Sequence, residues 1–106
     1  MSNRPYRQGD VLVMPTNQDC EGFAEVPRED GRIVLAHGEV TGHSHAIDAP
    51  AAILFMDQKT LRRYLWSSEP MRLLHEEHDP IVLPAGTFEV IRQREYHPED
   101  IRQVAD

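Results

Sequence analysis

Proline and glycine interrupt this chain at short intervals: Pro15, Gly22, Pro27, Gly31, Gly38, Gly42, Pro50, Pro70, Pro80, Pro84, Gly86 and Pro98. Proline removes a backbone donor and glycine weakens any regular element, so long helices are excluded across most of the sequence. Short apolar segments separated by regular turn signals predict an all-β fold, a small antiparallel barrel or sandwich.

The segments between the breaks read as strands. Val11 and Val13 alternate with Leu12 and Met14, entered from Gly9-Asp10. Ile33-Val34-Leu35, then Ala51 to Met56 closed by Asp57, follow as apolar runs. Met71, Leu73 and His75 alternate with Arg72, Leu74 and Glu76; Ile81 to Leu83 is held between two prolines. Thr87 to Tyr96 is the longest candidate, with Phe88, Val90, Arg92 and Arg94 on one face. Thr60 to Trp66 reads two ways. Leu61, Tyr64 and Leu65 have helical spacing with Asp57 as N-cap, whereas a strand puts Tyr64 and Trp66 on one face with the run after Pro70 as hairpin partner. The strand is the reading adopted. Tyr64, Trp66 and Phe88 are expected in the core. Pro98 to Val104 starts like a short C-terminal helix, with Glu99 and Asp100 in its first turn, and also fits an extended tail.

At 106 residues the chain fits a single domain over 1–106. One cysteine, Cys20, excludes an internal disulfide and makes a reducing, cytoplasmic compartment the default. Asp19 and Glu21 flank it and raise a thiol pKa, which argues against a nucleophile. No apolar run approaches the roughly 20 residues that cross a bilayer, and no apolar stretch follows the N-terminal charges as in a signal peptide. The net charge of -7 argues against duplex nucleic acid, which needs a basic face. Arg62, Arg63 and Arg72 beside Tyr64 and Trp66 are the one arrangement that would stack on single-stranded bases, and a solvated charged face is the plainer account.

Six histidines remain, five of them between positions 37 and 78. Gly42-His43-Ser44-His45 is the sharpest group, because residues i and i+2 of a strand face one side and two imidazoles can reach one ion. Such ligands suit Zn, Fe, Ni, Cu or Mn. Two ligands do not make a tight site, and the next candidates lie in His75-Glu76-Glu77-His78-Asp79. On a strand His75 and His78 face opposite sides. His75 shares the face of Leu73 and Met71 and is the preferred third ligand, with His78 as substitute. Glu76 or Glu77 would orient an imidazole from behind, or be merely solvated. His37 and His97 are expected to be bystanders. The same histidines also fit a structural role, hydrogen-bonded to backbone carbonyls.

The segments Gly38 to His45 and Pro84-Ala85-Gly86-Thr87-Phe88-Glu89 resemble the cupins, small antiparallel barrels with a Gly…His-x-His…Glu motif and a Pro-x-Gly-x-x-His motif. The resemblance implies a metal in the barrel mouth held by three histidines and a carboxylate, with His43 and His45 as the first pair. Here Glu89 stands at the second motif's histidine position, and no glutamate follows His45 at the first motif's distance. His75 through Gly86, Gln93 to Tyr96, and the opening Tyr6-Arg7-Gln8-Gly9-Asp10-Val11-Leu12 look like a small family of uncharacterised bacterial proteins, a likeness that brings no activity with it.

The expectation is thus a cupin-like domain binding one divalent transition metal, Zn, Fe, Ni or Mn, through His43, His45, His75 and His78. It would act on a small-molecule ligand as a metal-dependent enzyme whose catalytic residues the sequence does not name. The alternative is an acidic adaptor that docks on a protein partner, with structural histidines. A homodimer through exposed edge strands is expected in either case.

Overall fold

The computed structural model describes residues 4–38 and 42–93. They form ten strands: β1 (Tyr6–Gln8), β2 (Val11–Pro15), β3 (Ala24–Glu25), β4 (Ile33–His37), β5 (Ser44–Ile47), β6 (Ile53–Met56), β7 (Arg63–Ser67), β8 (Met71–Leu74), β9 (Ile81–Leu83) and β10 (Gly86–Arg92). Among the described residues there is no helix, so none is long and apolar enough to cross a membrane. The stretch Pro98 to Val104, expected as helix or tail, and His97 lie outside the described residues.

Two antiparallel sheets face each other. One has six strands in the order β1-β2-β10-β7-β6-β3, the other four in the order β4-β5-β8-β9. The chain crosses between sheets four times, after β3, β5, β7 and β9. Each crossing follows a short strand, which is what the frequent breaks in the sequence permit.

Period-2 patterning sets which side of each strand is inside. Val11 and Val13 of β2, Met71 and Leu73 of β8, and Phe88 and Val90 of β10 are all buried, while Arg72 between Met71 and Leu73 is exposed. With Leu35, Ile47, Leu54, Leu65 and Leu83 they fill the space between the sheets. Each fully buried side chain of this size contributes about 1.5–3 kcal/mol relative to exposure. A register shift between Val34 and Ala36 bends β4, so that Leu35 and Ala36 are both buried.

Three expectations are corrected. The strand after Pro70 does not return on β7: β7 pairs with β10 and β6, and β8 pairs with β5 and β9. Burial decides this, because Leu65 and Ser67 face inward from one sheet and Met71 and Leu73 from the other. The stretch from Thr60 is a strand only from Arg63; Asp57 accepts a bond from the Lys59 N–H in a local turn, and Leu61 sits at φ 66. Trp66 is not core but 38% exposed. It shares the outer face with Tyr64, which is buried because Phe23 stacks on it at 5.6 Å. Trp66 instead lines an open groove of about 460 Å³ with Cys20, Phe23, Ile53, Phe55 and Thr87.

Candidate metal centre

Where the sheets converge at one corner, three segments meet: the β1–β2 turn, the start of β5 and the β8–β9 loop. Gln8, the last residue of β1, is buried between them. Its Nε2 donates to the Leu73 carbonyl at 3.1 Å and to the Asp79 carbonyl at 3.0 Å, tying the edge of the six-stranded sheet to the loop that leaves β8.

Four imidazoles gather at this corner. His45 points inward from β5 with Ile47, since residues two apart share a face, and it is 3% exposed. His43 precedes the strand by one residue and is half-buried. His75 packs on both, with ring centroids 4.3 Å from His45 and 5.6 Å from His43. His78 lies 4.7 Å from His75 and 5.9 Å from His45. The opposition expected between His75 and His78 does not arise, because β8 ends at Leu74 and strand alternation ends with it. The bend that follows turns both rings to the same corner.

Carboxylates surround the rings. Ligating atoms of His43, His75 and Glu76 all lie within 4.8 Å of one another. Glu76 Oε1 accepts the Ser44 N–H at 2.9 Å, and this bond above all holds its carboxyl below the ordinary value. Glu77 Oε2 is 3.6 Å from His43 Nδ1, and the Glu77 N–H donates to His75 Nδ1 at 3.0 Å. On the other side Asp10 Oδ1 stands 3.7 Å from His45 Nε2, while its Oδ2 is 3.3 Å from Arg92 Nε. Gly9 closes the floor: a Cβ there would lie 3.0 Å from His78 Nε2 and 3.2 Å from His45 Cε1.

Burial lowers the His45 pKa from 6.5 to about 4, helped by the neighbouring His75, His78 and Arg92 and opposed by Asp10. The ring is therefore neutral at pH 7, the form in which imidazole ligates a metal. Its Nδ1 is 2.8 Å from Gln8 Oε1. An oxygen there must accept, so the proton is on Nδ1 and Nε2 carries the lone pair.

His37 is outside the cluster; its ring pairs with Glu29 at 3.2 Å and is largely exposed. Glu89, at the cupin-like motif position, lies on β10 between the inward Phe88 and Val90 and faces Arg62 at 3.9 Å, away from the histidines. The arginine–aromatic set does not form one face. Arg63 donates to the Leu35 carbonyl at 2.7 Å, while Arg72, 3.4 Å from Asp48, stands on the other sheet. The Cys20 thiol is pushed up by burial and by Asp19.

Sequence reasoning did not single out Gln8 and Asp10. They sit 37 and 35 positions before His45, and their only local signal is a Gln-Gly-Asp turn.

The chain belongs to the family described as a domain of unknown function, DUF8820, whose model matches residues 7–93. That span holds every residue of the corner described above. The chain is also similar to the hydroxyacylglutathione hydrolase of Bartonella henselae, 33% identical over 72 residues. The match covers 68% of this chain and 28% of that protein, so the chain spans little more than a quarter of its length. No solved structure matches the chain.

Proposed function

We propose that the chain is a cupin-like barrel that binds one divalent transition metal ion, Zn, Fe, Ni or Mn, at the His43, His45, His75 and His78 cluster. Asp10 and Glu76 are the adjacent carboxylates. The observation that carries this reading is the approach of His45 to Asp10. With its proton committed to Gln8, His45 Nε2 presents a lone pair to a carboxylate oxygen 3.7 Å away, and among the described residues no hydrogen-bond donor reaches that nitrogen. Both atoms are acceptors, so a cation set between them would be held by both, alongside the Arg92 guanidinium that already pairs with the other Asp10 oxygen. Two metal–ligand bonds of about 2.0–2.2 Å span at most about 4.4 Å, so one ion can reach both atoms. Gly9 lets the backbone come up against the two rings, where a Cβ would press on His78 Nε2 and His45 Cε1.

A bound ion of this kind acts as a Lewis acid or lowers the pKa of a bound water. The similarity to a protein named as a hydrolase makes hydrolysis of a small molecule the reaction class to test first. This chain's own contribution is to hold His45 neutral and oriented by burial and by Gln8, and to keep Glu76 ionised through the Ser44 N–H.

The test is metal content of the full chain purified without a histidine tag, before and after reconstitution with each of the four metals. About one ion per chain is expected, lost in the His43→Ala/His45→Ala double variant. Metal below about a tenth per chain after aerobic and anaerobic preparation, with no uptake on reconstitution, overturns the reading. It would then favour the acidic adaptor, for which a stable protein partner is the positive sign.

A further inference from the structure

We propose that Gln8 is a positioning residue of this site: it decides which nitrogen of His45 carries the proton, and so which nitrogen is free to bind a ligand. The geometry leaves the amide one orientation. Gln8 Nε2 has two N–H bonds, and two carbonyl oxygens, of Leu73 and Asp79, take them at 3.1 and 3.0 Å. Turned over, the amide would set its oxygen against both carbonyls and its NH2 against His45, losing two buried hydrogen bonds and leaving both carbonyls unsatisfied. Oε1 is therefore held toward His45 Nδ1 at 2.8 Å, and the ring must donate from Nδ1.

The same three bonds join the three segments of the corner. Gln8 is 65 residues from Leu73, 71 from Asp79 and 37 from His45. Its two carbonyl partners bracket the stretch that carries His75 and His78. A second-sphere amide that orients a ligating imidazole commonly changes metal affinity by about 10- to 100-fold when removed. The consequence for affinity rests on the metal reading above; the tautomer does not.

The experiment uses the metal-free full chain labelled with nitrogen-15. Long-range proton–nitrogen correlation at pH 7 reads the tautomer of each imidazole, and a His45→Asn spectrum assigns the His45 signals. Wild type is expected to show His45 protonated at Nδ1 and bare at Nε2. Gln8→Glu keeps an oxygen facing Nδ1 while giving up the NH2 that served the Leu73 and Asp79 carbonyls, and is expected to keep the proton on Nδ1. Gln8→Met removes that oxygen, releases the Nε2–H form, and weakens Co(II) binding by about 10- to 100-fold relative to wild type. Wild-type His45 protonated at Nε2, or an unchanged tautomer in folded Gln8→Met, overturns the proposal. Should Gln8→Met not fold, loss of the Nδ1–H pattern in folded Gln8→Glu overturns it as well. An Nδ1–H tautomer that depends on Gln8 in a protein that takes up no Co(II) upholds the role of Gln8 and counts against the metal reading instead.

Discussion

The β1–β2 turn and the 29–32 turn are built alike and serve opposite ends. Each reverses an antiparallel pair through two residues. Gly9-Asp10 lies between Gln8 and Val11, and Asp30-Gly31 between Glu29 and Arg32. Each uses left-handed backbone, at φ 60 for Gly9, and at φ 53 and 79 for Asp30 and Gly31. These are the hairpin turns whose twist suits antiparallel strands. Yet a Cβ on Gly31 would meet nothing within 4 Å, whereas one on Gly9 would press on His78 and His45. Glycine at 31 answers only to the backbone; glycine at 9 answers also to the site. Tight reversals thus recur because the chain needs them, and one of them has been placed where its lack of a side chain shapes a cluster of ligands.

Substitution at Gly9 should have the largest effect. Gly9→Ala combines left-handed strain of about 1–2 kcal/mol with crowding of about 1–3 kcal/mol against the two imidazoles. A loss of about 2–5 kcal/mol in urea unfolding is expected from these two contributions, together with weaker Co(II) binding. Unchanged metal affinity in a folded Gly9→Ala protein would make the two turns equivalent and break the contrast.

The next effect concerns what the β1–β2 turn buries. In the unfolded chain His45 takes up a proton near 6.5, while in the folded chain it refuses one until about 4. Between these values the unfolded state binds more protons, so stability falls as pH falls from about 6.5 toward 4. For metal-free protein the loss reaches roughly 2 kcal/mol by about pH 5, because each pH unit below the unfolded value costs about 1.36 kcal/mol. Urea midpoints measured from about pH 8 to about pH 5 should show the decline, and His45→Gln should flatten it. An equally steep decline in that variant would place the titration elsewhere.

The smallest effect belongs to the open turn. Gly31→Ala should cost about 1 kcal/mol through backbone strain alone, partly offset by a stiffer unfolded chain, and leave Co(II) affinity at the wild-type value. A change in affinity there would show that the turn at 29–32 reaches the corner through β4.

Much of the fold is legible in the chain. The alternations at Val11/Val13, Met71/Leu73 and Phe88/Val90 name both the strands and their inward faces, because a half-buried strand has period two. The all-β expectation holds for the described residues. Trp66 escapes this logic, since it shares a face with Tyr64 and only the position of Phe23 decides which of the two is covered. The pairing of β8 with β5 rather than β7 escapes it too, because adjacency in sequence favours a hairpin and the division into two sheets overrides it.

At the site the division has a physical cause. Local geometry predicts His43 and His45 on one side, as two positions apart on extended backbone share it; in the fold His43 lies just outside β5, and each of the two rings packs on His75. The approach of His75 and His78 depends on where β8 stops. The roles of Gln8 and Asp10 depend on a turn folded against a loop far along the chain, as the 71-residue separation of Gln8 from Asp79 shows. Residue order alone therefore determined that this chain breaks into short strands with an apolar inner face and a histidine pair beside it. Which side chains surround that pair was decided only when the two sheets met, because hydrogen bonds and burial act between neighbours in space, and few neighbours at this corner are neighbours in sequence.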